Sequence, residues 1–362
     1  MANAEMEKRT NRTRTAQSSP ISCAVVVPNW NGRGWLEGCL RSLADQTHPP
    51  GEVIVVDNGS SDGSVEFLRS EHRDVQVVEL GHNTGFAHAA NRGVREARAE
   101  FVALVNTDVE LAPDWLERMV AVLRADTGCA SAACKMLSMN DESRVYDAGD
   151  FLRRDGVCEQ RGRFGLDEPR LDDPVEVFGA CAGAVVYRRE VFLDLGGFDE
   201  RYFAYLEDVD LALRLQLAGW RCRYEPVIAL HAGEQSSAQL SGGHWYLVER
   251  NTLMLVAKAF PSRWLGLVAY RQLAWLWHAV RERRLRWQLR GALAAIPLLP
   301  HALRERRRLR REARVPIEIA VAPRPIRGPK AEGHPSRLDE LGKRADRESS
   351  RHGGDRQPPR AA

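Results

Sequence analysis

The run ISCAVVVPNWNGRGWLEGCLRSLADQTHPPGEVIVVDNGSSDGSVEFLRS, residues 21–70, decides the fold. Ile21 to Val27 is an apolar, β-branched run of strand length that ends in Pro28-Asn29-Trp30-Asn31-Gly32. Apolar positions then recur at helical spacing from Trp35 to Ala44. A second strand-like run, Val53 to Val56, ends in Asp57-Asn58-Gly59-Ser60-Ser61-Asp62-Gly63. Another helical pattern follows from Ser64 to Ser70, with the Asp62-Gly63-Ser64 turn offering its cap. The alternation continues through Val75 to Leu80, Phe86 to Ala97 and Phe101 to Val105. Strands alternating with helices in this way predict an α/β fold, a mostly parallel sheet with helices on both faces.

A helix from Trp115 to Leu123, opened by Pro113, closes this half. Between Cys134 and Tyr187 glycines punctuate short segments, and the texture predicts antiparallel hairpins added to the α/β half. Helical periodicity returns at Glu207 to Ala218, a strand follows at Arg223 to Leu230, and Glu249 to Arg314 reads as helices rich in Leu, Trp and Arg. The expected organisation is a tail over 1–20, a catalytic-size domain over 21–248, a helical extension over 249–314 and a second tail over 315–362. Both tails carry too few large apolar groups to offset chain entropy, so both are expected to be disordered.

Charge is unevenly spread. The whole chain has 52 Lys and Arg against 49 Asp and Glu, but residues 281–362 hold 22 basic groups against 10 acidic ones, which leaves 30 against 39 for the rest. An acidic body carries a basic tail. Seven cysteines, odd in number and without a C-x-x-C pair, point away from a disulfide framework or zinc ribbon and toward a reducing, cytoplasmic compartment. The segment before Ile21 is polar and basic, so no secretory signal is expected. The longest late uncharged stretch, Gly291 to Leu303, contains two prolines and falls short of the ~20 apolar residues of a spanning helix.

In an open α/β sheet ligands bind outside the carboxyl ends of the strands. Here those ends are PNWNG, DNGSSDG, GHNTG (residues 81–85) and NTD (residues 106–108). Any one of them is ordinary turn chemistry; four in succession along one edge point to a ligand. No G-x-G-x-x-G follows the first strand and no G-x-x-x-x-G-K-[ST] occurs, so neither a dinucleotide dehydrogenase nor a P-loop ATPase is expected. Asp57 stands where a base or ribose would be held. Asp108 stands where a hard divalent cation, Mn²⁺ or Mg²⁺, would be, its shell completed by substrate phosphates. Downstream, Asp210 and Arg214 are spaced to pair along a helix, and Glu207 and Asp208 fall in its first turn, where they serve as caps or as a proton acceptor. The small residues Gly179 to Ala184 would allow close approach to a sugar or close strand packing, and Cys181 has no activating neighbour in sequence.

In order, VVVPNWNG, VVDNGSSDGS, NTGFAHAANRG with VNTD, and GGFDERYFAYLEDVDLALR resemble the motifs of the family 2 nucleotide-sugar glycosyltransferases, with rhamnosyltransferase-like and galactofuranosyltransferase-like members nearest. The resemblance runs from about Ser22 to about Arg250. It implies a GT-A fold and an inverting, metal-dependent transfer to a glycan or lipid-linked acceptor in cell-surface polysaccharide synthesis. It implies deoxythymidine-diphosphate rhamnose (dTDP-rhamnose) as the first donor to consider and uridine-diphosphate galactofuranose as the second. By position, Pro28, Asn29 and Asn31 would line the nucleotide pocket, Asp57 would hold the base or ribose, and Asn83, Gly85 and Arg92 would approach the ribose and diphosphate. Asn106-Thr107-Asp108 stands at the family's D-x-D metal motif with its first acid replaced, so Asp108 is the sure anionic ligand there. His231 would complete the metal site, and Asp208, with Glu207 beside it, matches the general base. A second function class remains open, a catalytically silent sugar-nucleotide-binding module whose helical tail recruits partners.

Trp264, Trp275, Trp277 and Trp287 are interleaved with arginines, and Leu265, Val268, Gln272, Trp275, Leu276 and Ala279 form one mainly apolar helical face. Two readings stand: burial against the catalytic domain, or an interfacial helix that holds the protein at the anionic inner face of a membrane. Nucleic acid is not expected, because no recognition motif accompanies the basic tail.

Overall fold

A computed structural model describes residues 23–233 and 243–321. The predicted 1–20 tail, and residues 322–362 of the predicted 315–362 tail, lie outside these. The first half alternates as read: β1 (Cys23–Asn29), α1 (Arg33–Ala44), β2 (Glu52–Asp57), α2 (Ser64–Glu71), β3 (Gln76–Glu79), α3 (Phe86–Glu96), β4 (Phe101–Val105), β5 (Val109–Leu111) and α4 (Trp115–Ala125). β1 is a continuous apolar run because both of its faces are covered. Val25 and Val27 enter a core with Leu36, Leu40 and Trp115 of α1 and α4, whereas Ala24 and Val26 enter a second core with Ala87, Ala90 and Val94 of α3.

The second half contributes β6 (Cys129–Ser138), β7 (Asp141–Asp147), β8 (Asp150–Leu152), β9 (Cys158–Gln160), β10 (Val175–Val177), β11 (Ala184–Arg188), α5 (Arg189–Asp194), α6 (Glu207–Leu217) and β12 (Arg221–His231). The main sheet has ten strands in the order β10-β12-β6-β11-β4-β1-β2-β3, with β5 beside β12 and β7 beside β6. Strands β4, β1, β2 and β3 run parallel, and β11 enters antiparallel between β4 and β6. The expected antiparallel addition is therefore inserted into the sheet, with a separate β8–β9 ribbon beside it.

Two registers set the site. Asn29 lies opposite Asp57 on β1 and β2, so their loops share one end of the sheet. Val109 lies opposite His231 on β5 and β12, which brings Asp108 to the end of β12. His231 is the last residue of that strand, one position further in than the Arg223 to Leu230 reading placed it.

The C-terminal helices are α7 (Gly243–Ala259), α8 (Leu265–Arg281), α9 (Leu285–Ala295), α10 (Leu299–Glu312) and α11 (Ile317–Ala320). Leu255, Val256 and Phe260 share a core with Val209, Leu213 and Leu217 of α6, so this region is built onto the α/β half. The ordered chain also passes Arg314, where composition alone placed the start of a tail. The amides of Arg314 and Val315 donate to the Leu217 carbonyl at 2.7 and 3.1 Å, and Val321 is fully buried.

Candidate active site

A cavity of about 1510 Å³ opens at the carboxyl ends of β1 and β4, and Pro28, Asn29, Asn83, Gly85, Asn106, Asp108, Glu207, Asp208 and His231 all line it. At one end the loops are tied together by asparagines. Asn29 Nδ2 donates to Asp57 Oδ1 at 2.9 Å and to Ser60 Oγ at 3.1 Å, while its own Oδ1 is buried without a hydrogen-bond partner among the described residues. Asn58 Oδ1 accepts from the Thr84 amide at 2.8 Å, and its Nδ2 donates to Asn83 Oδ1 at 3.1 Å. Asp57 also accepts from the Ser60 amide at 3.0 Å, so it supports the wall from behind and is not part of it.

Across the cavity, Asp108 and His231 are both buried, with Nε2 3.7 Å from Oδ1. The Gly233 amide donates to His231 Nδ1 at 2.8 Å and the ring stacks on Tyr146 at 4.1 Å, which fixes the ring with Nε2 toward Asp108. Among the described residues no cluster of three or more His, Cys, Asp or Glu side chains could hold a metal. An imidazole and a carboxylate side by side would supply two ligands to a divalent cation, leaving the rest of its shell to substrate phosphates and water.

Asp208 is held at the start of α6. Its Oδ2 accepts from the Ala182 amide at 3.0 Å and its Oδ1 from the Val209 amide at 2.8 Å. The glycine before Ala182 has a packing reason: a Cβ on Gly179 would lie 2.5 Å from the Cβ of Ala212, so its absence lets this segment reach the helix that carries Asp208. Burial pushes the Asp208 carboxyl above its usual range, and the two amides offset that only in part. Glu207 is raised by burial and then by the Asp208 charge, and its Oε2 has no hydrogen-bond partner among the described residues.

Arg92 and Asn31, expected at the ligand, are not in the wall. Arg92 pairs with Glu96 one helical turn on, at 2.7 Å, on the solvent side of α3. Asn31 accepts from the Ser61 amide at 2.8 Å and braces the two loops. Asp150 does line the cavity, and no sequence reading singled it out. Burial raises it well above the carboxylate range, with the charges of Asp147 and Asp208 adding to the effect, and burial brings Asp147 to about 7. Their one sequence signal is two acids three apart in the glycine-bearing connection between β7 and β8. Cys181 also lines the cavity, and burial raises its thiol, consistent with an inert side chain.

A parallel sheet whose strand ends gather these loops around one polar cavity, with an antiparallel insertion beside it, is the framework of a GT-A glycosyltransferase. Residues 24–196, just under half of the chain, match the family model described as Glycosyl transferase family 2. The chain is 29% identical over 319 residues to the N-acetylglucosaminyl-diphospho-decaprenol L-rhamnosyltransferase of Mycobacterium tuberculosis (strain ATCC 25618 / H37Rv), covering 82% of this chain and 96% of that protein. It is 31% identical over 213 residues to the O-antigen biosynthesis protein RfbC of Myxococcus xanthus, covering 55% of this chain and 16% of that one. Among solved structures, S. aureus TarS 1-349 superimposes with a TM-score of 0.50 at 17% identity over 80% of this chain and 83% of that one. GalNAc-T7 with UDP, GalNAc and Mn²⁺ superimposes with a TM-score of 0.54 at 16% identity over 68% of this chain and 49% of that one. At such identities the superpositions bear on the fold alone.

Proposed function

We propose that this enzyme transfers a sugar, with inversion, from a nucleoside diphosphate to a hydroxyl of a lipid-linked acceptor during cell-surface polysaccharide synthesis. The observation that carries the reading is a carboxylate fixed by two backbone amides, Asp208, in the same cavity as the Asp108–His231 pair and the asparagine loops. The mycobacterial relative, an L-rhamnosyltransferase, favours L-rhamnose as the sugar and a GlcNAc-diphospho-lipid as the acceptor, with dTDP-rhamnose as the first donor to test. UDP-galactofuranose is the second donor to test. Asn29, Asn83, Asn106 and Pro28 would bind and orient the nucleotide and diphosphate. Asp208 would accept the proton of the attacking hydroxyl on the face opposite the leaving group, a contribution usually worth ~100-fold or more. Asp108 and His231 would hold a divalent cation, which would supply Lewis-acid neutralisation of the departing diphosphate.

A lipid-linked acceptor calls for a protein that reaches a membrane surface. No helix among the described residues is long and apolar enough to cross one. Instead α8 presents Tyr270, Leu273, Trp277 and Val280 to solvent at helical spacing, each more than half exposed, and the arginines of α10 follow. The face expected from sequence is partly used for packing, since Val268 and Ala279 are buried. The bare stripe lies beside it, and it suits peripheral attachment at the cytoplasmic face.

The test is transfer from dTDP-rhamnose and UDP-galactofuranose to a GlcNAc-diphospho-polyprenol, with and without Mn²⁺. Asp208→Asn is expected to keep donor binding and lose roughly 100-fold or more in kcat, and Asp108→Ala to lose metal stimulation. Donor binding without transfer by the unaltered protein would instead favour the silent binding module.

A further inference from the structure

The segment that leads into Asp208 holds the densest run of positive-φ non-glycine residues among the described residues. After the short turn Glu200–Tyr202, Phe203 has φ 66° and ψ −66°, Tyr205 has φ 69° and Leu206 has φ 67°. None is glycine, and large L side chains rarely enter the left-handed region because Cβ then crowds the carbonyl oxygen. Three such residues within four positions persist only where the surroundings over-determine them. The segment is also functional surface, since Phe203, Ala204, Tyr205 and Leu206 line the same cavity as Asp208.

What holds it comes from the C-terminal region. Asn251 of α7 is fully buried. Its Nδ2 donates to the carbonyls of Tyr202, Ala204 and Tyr205 at 3.1, 2.8 and 2.6 Å. Its Oδ1 accepts from Arg250 Nε at 2.9 Å, which fixes the carboxamide so that its donors face the loop. The same guanidinium donates to the carbonyls of Arg201 and Tyr202. On the other side the Ala87 amide donates to the Phe203 carbonyl at 3.1 Å. Gly85, at φ 91°, lies so close that a Cβ there would be 2.6 Å from the Phe203 ring.

We propose that Arg250 and Asn251 act as one clamp that positions Asp208, by holding residues 201–206 in the left-handed path that aims the first turn of α6 into the cavity. Neither touches the reacting atoms, so both are positioning residues acting through Asp208. The proposal rests on the assignment of Asp208 as base. It gives the helical region a share in catalysis in addition to any membrane role.

The test is a double-mutant cycle in the full-length protein, with dTDP-rhamnose as donor, the GlcNAc-diphospho-lipid as acceptor and dTDP as the binding probe. Asn251→Ala is expected to lower kcat by roughly 30-fold or more, since misplacing a catalytic group by about 1 Å can cost ~100-fold. Its Kd for dTDP should stay within about 3-fold, because Asn29, Asn58 and Asn83 sit on other loops. In the Asp208→Asn background the same change should cost almost nothing further, as expected for residues that act through one group. Arg250→Ala, at a half-buried site, should show the same pattern more weakly and serves if Asn251→Ala fails to fold. A kcat within about 3-fold of the parent for the folded variants, or an equal loss in both backgrounds, would overturn the clamp. If Asp208→Asn alone keeps full turnover, the base assignment fails instead, and that result is visible with residues 250 and 251 intact.

Discussion

Asp147 shows how burial turns an ordinary side chain into a pH-dependent one. Its carboxyl is buried and accepts from the Gly149 amide at 2.7 Å, yet desolvation still brings it to about 7. A carboxyl raised in the folded state binds more protons there than in the unfolded chain. Its contribution is therefore complete below the unfolded value, about 4, and is lost as pH rises toward 7. Asp147→Asn removes that loss, so its melting temperature relative to the parent should climb between pH 5 and pH 8 by several degrees. Melts at the two pH values check this, and a constant difference would contradict it. Asp208 is raised by the same cause, so the acidic limb of kcat/KM should lie above the usual carboxylate range. At this scale Asp108, Asp208 and His231 drew notice because Asp108 follows a strand, Asp208 opens a helix and His231 ends a strand, and strand ends of an open sheet are where ligands bind. Asp150 was not, because nothing local tells a hairpin carboxylate in solvent from one facing a cavity.

Among the elements, α6 carries much of the junction between the sheet domain and the C-terminal helices. Lys258 of α7 is buried and reaches Asp199 at 2.9 Å and Asp210 at 2.8 Å. Asp210 also accepts from Arg214 at 2.8 Å, and Asp199 pairs with His301 at 2.6 Å. Burial would raise both carboxyls, but the Lys258 charge, with help from His301 and Arg214, holds them below their usual range. Lys258→Met leaves those charges buried with fewer partners and should cost ~3–5 kcal/mol, measurable by denaturant unfolding at pH 7. The cost should shrink on acidification, as the orphaned carboxyls protonate. Only the i,i+4 pair Asp210–Arg214 was readable from spacing; the link to Lys258 spans 48 residues of sequence and exists through tertiary packing alone. The same logic governs the strands. β1 and β4 were evident because both faces are buried, whereas the three-residue β5 carries too short a pattern to see and is defined by pairing with β12.

For the whole molecule, composition separated an acidic body from a basic end but could not say which helical faces pack. The structure buries Val268 and Ala279 and leaves Leu273 and Trp277 bare. Replacing both with glutamate should release the enzyme from vesicles containing phosphatidylglycerol with little change in melting temperature, since neither side chain is part of a core. Binding by the parent should weaken as salt screens the arginines of α10, with a Debye length of about 10 Å at 0.1 M. Vesicle sedimentation across a NaCl series reads both effects, and unchanged sedimentation by the double variant would place attachment elsewhere.

The backbone bonds from Arg314 and Val315 to the end of α6 carry a practical corollary. A protein trimmed where the sequence turns hydrophilic would keep every motif and still lose the plug beneath the helix that carries Asp208, so the shortest version worth expressing retains Val321.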